Sequence, residues 1–252
     1  MELRGKKAGR FARLIFIGAA AAPWVSAQVE LQVRHKRLLG DHTGVLTLED
    51  AGLSYQRTPS GKKGAAPEKV HWDYQDIQQL WLSPEKIVIL TYHDRKWLLG
   101  MDKEFEFRAL PGESFEKAYP VLKRRLDQRF VAALADSRTH VLWELPVKLL
   151  GTLTGSEGML QVGADQIVYK TPRAGQSRTW RYLDIENVST SGPFQLTLTT
   201  YERARTHYGA LKGFNFQLKQ RLDEGRYDLL WRRVNRDKGL RFLTAASGPD
   251  SP

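Results

Sequence analysis

Two histidines and two short basic runs are the groups in this chain best spaced for chemistry. His35 and His42 lie seven residues apart with Asp41 beside the second, a set that could offer two imidazoles and a carboxylate to a metal ion. Arg34-His35-Lys36-Arg37 concentrates positive charge of the kind that grips an anionic ligand. Lys123 and Arg124, continued by Arg125 and echoed by Arg232-Arg233, could face an anionic membrane surface, although Glu116, Asp127 and Asp228 dilute that charge. Nucleophile motifs are missing. Gly40-Asp41-His42-Thr43-Gly44 and Gly151-Thr152-Leu153-Thr154-Gly155 carry threonine where a hydrolase elbow holds a central serine, and neither H-E-x-x-H nor G-x-x-x-x-G-K-[ST] occurs. No catalytic residue, metal site or cofactor is therefore expected. The histidines read as surface residues and the glycines as tight turns entering strands.

The elements that would position these groups come in two copies. Trp72-Asp73-Tyr74-Gln75-Asp76-Ile77 returns as Trp180-Arg181-Tyr182-Leu183-Asp184-Ile185. Strand alternation places Trp72 and Tyr74 on one face, Asp76 can cap a turn, and Ile77 opens the next strand in the core; Trp180, Tyr182, Asp184 and Ile185 repeat those parts. The motif reads as structural, because large aromatics are mostly buried. Its flanks are duplicated too. Glu30 to Arg34 matches Glu144 to Lys148, and a constant offset of 114 carries through Gly44/Gly158, Leu46/Leu160 and Tyr55/Tyr169. Thr91-Tyr92 then answers Thr200-Tyr201, Phe105 and Phe107 answer Phe214 and Phe216, and Tyr119 answers Tyr227. A period this long is a domain rather than a solenoid unit. The predicted divisions are 28–136 and 140–236, joined near the polar stretch Asp136-Ser137-Arg138-Thr139, with a flexible tail over 237–252.

Residues 1–27 look like an export signal. Arg4, Lys6, Lys7, Arg10 and Arg13 precede an apolar run from Leu14 to Val25, and Val25-Ser26-Ala27 supplies small residues for cleavage. The competing reading is an uncleaved anchor, but the run is shorter than the roughly 20 apolar residues that span a bilayer. Periplasmic or secreted placement follows, and the absence of cysteine leaves the folded part to core packing alone. The formal charge of +11 includes four net charges in this leader, so cleavage leaves +7. That balance favours acidic partners such as anionic lipid or glycan, though solubility explains it equally well; no basic stripe with interleaved aromatics suggests nucleic acid.

Within each unit, short runs such as Ile87 to Tyr92 and Glu104 to Arg108 alternate or are β-branched, and each unit closes on an amphipathic helix. In the first, Phe115, Tyr119, Leu122, Leu126 and Phe130 form the apolar stripe, with Pro120 starting or kinking it. In the second, Tyr227, Leu230 and Val234 do. About seven antiparallel strands followed by one helix, with W-x-Y-x-D-I leading into a further strand, resembles the bacterial pleckstrin-homology-like domains in both halves. The resemblance implies a mainly β fold of two tandem seven-stranded barrels or sandwiches, each closed by a C-terminal helix. It implies a scaffold for lipid, peptide or protein binding alike; the expectation is a protein or peptide partner, with anionic lipid or glycan as the alternative and an enzyme with an unrecognised site as the third. In lipid-binding relatives a basic cluster between the first two strands grips the head group. Arg34, His35, Lys36 and Arg37 stand at that place, whereas the second copy has Lys148-Leu149-Leu150-Gly151.

Overall fold

The computed structural model describes residues 29–37, 40–59, 68–95, 98–151, 155–204, 210–236 and 238. The expected signal and cleavage site at 1–27, and the expected tail apart from Lys238, lie outside them. The first half supplies strands β1 Val29–Lys36, β2 His42–Leu48, β3 Gly52–Arg57, β4 Lys69–Asp73, β5 Ile77–Leu82, β6 Lys86–Arg95 and β7 Leu98–Ala109, then helix α1 Tyr119–Arg125. A short strand, β8 Phe130–Ala132, follows. The second half supplies β9 Val141–Leu150, β10 Ser156–Gly163, β11 Gln166–Lys170, β12 Arg178–Arg181, β13 Ile185–Ser189, β14 Gln195–Arg203 and β15 Leu211–Leu218, then helix α2 Glu224–Asn235. The protein is thus mainly β with few helices.

Strand order shows the duplication in space. The sheet runs β13-β14-β15-β9-β10-β11-β12-β8-β5-β6-β7-β1-β2-β3-β4, so each half places its fifth to seventh strands ahead of its first to fourth. The two sets form one continuous fifteen-stranded sheet rather than two separate ones, and β8 joins them. It runs parallel to β5, with Leu80 opposite Phe130 and Leu82 opposite Ala132, and meets β12 at Thr179–Ala132.

Alternation fills two cores. In β1, Leu31, Val33 and His35 turn inward while Glu30, Gln32, Arg34 and Lys36 turn out. Trp72 packs edge-on to Phe105 at 4.8 Å, and Trp180 meets Phe214 at the same 4.8 Å. Repetition of Gly44 and Gly158 has a steric cause other than a turn. Both sit within strands, where a Cβ would meet the Tyr55 ring at 2.5 Å or the Tyr169 ring at 2.8 Å. Gly40, between β1 and β2, does adopt the left-handed backbone that favours glycine, at φ +118°.

The first helix is shorter than its apolar stripe suggested. Phe115–Ala118 is a 3-10 turn, Pro120 stands in the first turn of α1, and the helix ends at Arg125. Phe130 is a strand residue, 5.9 Å from the Tyr119 ring. Helical and strand positions can share one apolar line when the chain reverses between them, and Asp127 makes that reversal by accepting from the Arg129 N–H at 2.9 Å.

What ends α1 comes from the other half. Buried Arg181 donates from Nη1 to the carbonyls of Lys123 (2.7 Å) and Leu126 (2.6 Å), and from Nη2 to that of Asp127 (2.6 Å). Lys123 lies in the last turn of α1, whose carbonyl groups a helix end leaves without partners, and Leu126 and Asp127 follow directly after it. Asp184 holds the guanidinium with both oxygens, at 2.6 and 2.9 Å, and accepts the Arg181 N–H as well. Burial pushes the Asp184 carboxyl up, against the pull of Arg181. Gln79 makes a second tie, donating to the Tyr201 carbonyl and accepting from the Arg203 N–H, each at 3.1 Å. Arg181→Leu should cost about 3–5 kcal/mol in urea unfolding, because it leaves a buried carboxylate unpaired; Arg181→Leu with Asp184→Leu should cost less than the single change.

Candidate functional site

The basic run at the end of β1 does not converge. Pleating turns Arg34 and Lys36 to solvent and His35 into the core, where it is 4% exposed. Lys36 lies 3.7 Å from Glu106, and Arg37 pairs with Glu68. His35 packs against Tyr55 and Phe107 with centroids 5.1 and 4.8 Å apart. Burial, reinforced by Arg37, lowers its pKa from 6.5 to about 4, so it is neutral near pH 7. It is neither a surface histidine nor a contact for an anion. His42 stands opposite it across the β1–β2 ladder, and among the described residues no group of three potential metal ligands forms.

Trp72, Tyr74 and Ile77 are buried, as are Trp180 and Ile185, while Tyr182 is partly so. Tyr74–Asp76 and Tyr182–Asp184 are 3-10 turns, so Tyr74 leaves the strand that carries Trp72. Asp76 is exposed and Asp184 is buried in the Arg181 clamp. The copies thus share a turn and differ in use. The variable residue after the tryptophan, Asp73 in one copy and Arg181 in the other, is the sequence signal for that difference.

Lys123 and Arg124 line a cleft of about 330 Å³ at the junction, together with Pro120, Asp136, Arg138, Asp165 and Gln166. Lys123 is committed, donating to Asp165 at 2.8 Å and to Gln166 at 2.6 Å. Buried Gln166 also accepts from the Tyr119 hydroxyl at 3.1 Å and donates to Asp136 at 3.0 Å. Asp136, which opens the polar stretch at the expected joint, is 8% exposed, and its N–H donates to Thr179 at 3.0 Å. Arg124 is exposed and has no hydrogen-bond or ion-pair partner among the described residues. Gln166 falls where the constant offset puts Gly52, so the copies differ here too.

The third feature is the outer edge of β4. The Arg57 N–H donates to the Glu68 carbonyl at 2.9 Å, and the antiparallel ladder alternates from there. The backbone N–H and C=O of Lys69, His71 and Asp73 therefore point away from β3. No strand lies beside them among the described residues, whereas β8 covers the matching strand β12. A polar chain spans the same place. Ser54 donates to Glu49 at 2.7 Å and lies 2.8 Å from His71 Nδ1, while His71 Nε2 is 3.2 Å from Asp73. This has the composition of a hydrolytic triad but not its setting. Ser54 is buried, its hydroxyl is held by Glu49, and its backbone is paired with β2 and β4, leaving no free N–H pair for an oxyanion. It acts as a cross-strand pair that orders β4.

No family model and no curated protein matches the chain. Among solved structures, it is similar to the C-terminal domain of an unknown protein from Leishmania infantum, at 13% identity and TM-score 0.30 over 48% of this chain and 94% of that one. It is also similar to the Spt16D Pob3N heterodimer, at 12% identity and TM-score 0.29 over 69% of this chain and 84% of that one. Scores this low carry no functional meaning for this chain.

The buried histidine makes stability depend on pH. Above pH 6.5 His35 is neutral folded or unfolded; as pH falls toward about 4, the unfolded chain takes up a proton that the folded chain resists, and stability drops. His35→Leu installs the residue that the second half carries at Leu149. Urea unfolding at pH 7 and pH 4.5 should show a smaller loss of stability for this variant than for the parent protein.

Proposed function

We propose that the chain is an exported, non-enzymatic interaction module of two tandem pleckstrin-homology-like domains, acting in the periplasm or outside the cell on a protein or peptide partner. The partner adds an extended segment to β4. The observation that carries this reading is the row of outward backbone groups at Lys69, His71 and Asp73. Main-chain hydrogen bonds to such an edge give affinity, and side chains at alternate positions give selectivity. The repeated strand order and the helix after each set support the pleckstrin-homology-like reading.

Proline at Lys69 removes one outward N–H without touching the β3–β4 ladder or the His71–Ser54 bond, and edge strands tolerate proline. Lys69→Pro should retain the thermal midpoint to within a few degrees and lose capture of the envelope protein that the parent chain binds. Capture equal to the parent's would refute strand addition at β4.

A second reading rests on the junction cleft, where Arg124 and Arg138 are both exposed and could meet an anionic lipid or glycan. Sedimentation with vesicles containing phosphatidylglycerol should show binding that falls as salt rises. Arg124→Ala with Arg138→Ala should abolish it, and no binding at low salt removes this reading.

A further inference from the structure

The other end of the sheet, β13, is the counterpart of β5, since Ile185 answers Ile77. In the first half β5 is covered by β8, the strand that follows α1, but β13 has no such cover among the described residues. The sequence beyond α2 resembles that of the covering strand. Arg241-Phe242-Leu243-Thr244-Ala245 stands against Arg129-Phe130-Val131-Ala132-Ala133, with arginine, phenylalanine, an aliphatic residue and a final alanine in the same order.

We propose that the segment Arg241–Ala245 of the same chain is the occupant of the β13 edge, added as a parallel strand with Val188 opposite Phe242, Ser189 opposite Leu243 and Thr190 opposite Thr244. This register copies Leu80–Phe130, Trp81–Val131 and Leu82–Ala132 in the first half.

Two further observations support the seat. Arg129, entering β8, donates from Nη1 to the carbonyls of Ile77 (2.9 Å) and Gln75 (3.2 Å) at the head of β5. Lys238, just past α2, donates from Nζ to the carbonyls of Ile185 (2.8 Å) and Glu186 at the head of β13. The chain is therefore delivered to the corresponding point in both halves. Three residues lead from Lys238 to Arg241, a reach of about 10 Å when extended, which matches the rise from Ile185 to Val188. The aromatic contact is also available. Phe130 is 2% exposed beside Tyr119, and Tyr227, the counterpart of Tyr119, is partly buried with its hydroxyl 3.3 Å from the Val188 carbonyl, which places a ring at the seat for Phe242. The seat is independent of whatever partner β4 takes.

Amide hydrogen exchange on the full chain tests this directly. In the first half the Leu80 N–H donates to the Arg129 carbonyl at 2.9 Å, so the Val188 N–H should donate to the Arg241 carbonyl. Val188 should be protected about tenfold or more over its unprotected rate, and Phe242→Asp should remove that protection while Leu198, on the neighbouring strand, keeps its own. A Val188 amide that exchanges at the unprotected rate in the parent chain overturns the proposal. As a second measurement, Ser189→Cys with Leu243→Cys in this cysteine-free chain should oxidise to an intrachain disulfide in a monomer. A disulfide-linked dimer, or protection that disappears on dilution, would assign the seat to a second copy and refute the same-chain occupant; two free thiols after oxidation would also refute it.

Discussion

A buried arginine holding the end of a helix that belongs to the other half is the contact on which this architecture depends. Helix α1 has seven residues, too few to be stable in water alone. Its last carbonyls need partners, and Arg181 reaches that of Lys123, together with those of Leu126 and Asp127 just past the helix end, from the start of a turn 54 to 58 positions further along. Asp184 neutralises the guanidinium and satisfies the Arg181 N–H, so the clamp brings its own counter-charge. The cost of burying this pair is met by the number of bonds it makes, because almost every polar direction around it is filled. Around the clamp, Gln166, Asp136, Thr179 and Tyr119 form a connected network of the kind that fixes one arrangement and penalises others.

Duplication followed by joining has a consequence for function. Two units with the same strand order begin with the same edges, but the joint uses one edge from each: β5 of the first and β12 of the second meet across β8. Among the described residues, what remains is β4 at one end and β13 at the other, and these are different strands of the repeat. Edge strands are liable to pair with other chains unless charge, brevity or cover restrains them. On β4 the restraint is polar: Lys69, His71 and Asp73 occupy the outward positions, with His71 held by Ser54. Such an edge suits a selective strand partner rather than indiscriminate pairing.

The candidate contacts separate according to their local geometry. Arg34, His35, Lys36 and Arg37 are contiguous in the chain, and contiguity suggested a cluster; a strand sends alternate residues to opposite faces, which disperses it. Lys123 and Arg124 are neighbours on a helix, yet one is tied to Asp165 and Gln166 and the other faces solvent. His35 is neutral because aromatic rings surround it, a fact invisible in a sequence where it stands between Arg34 and Lys36.

By itself the sequence determined that the chain is duplicated, that its elements are short strands with a helix after each set, and that Trp72, Ile77, Trp180 and Ile185 belong to the core. Those properties are written in periodicity and in a nearly constant offset, both of which are local or self-comparing. The tertiary structure decided that Phe130 ends in a strand, that Asp136 is buried, and that the two halves share one sheet through β8. It also decided that Arg181, Gln166 and Gln79 are among the residues that join them. Each of these depends on what a residue meets from a segment tens of positions away, and hydrogen-bond partners across such distances leave no period in the chain. One trace did remain: Arg181 stands where the first copy has Asp73, and Gln166 where it has Gly52. A repeat diverges where its copies are asked to meet, since a contact between unlike faces cannot be made by identical residues on both.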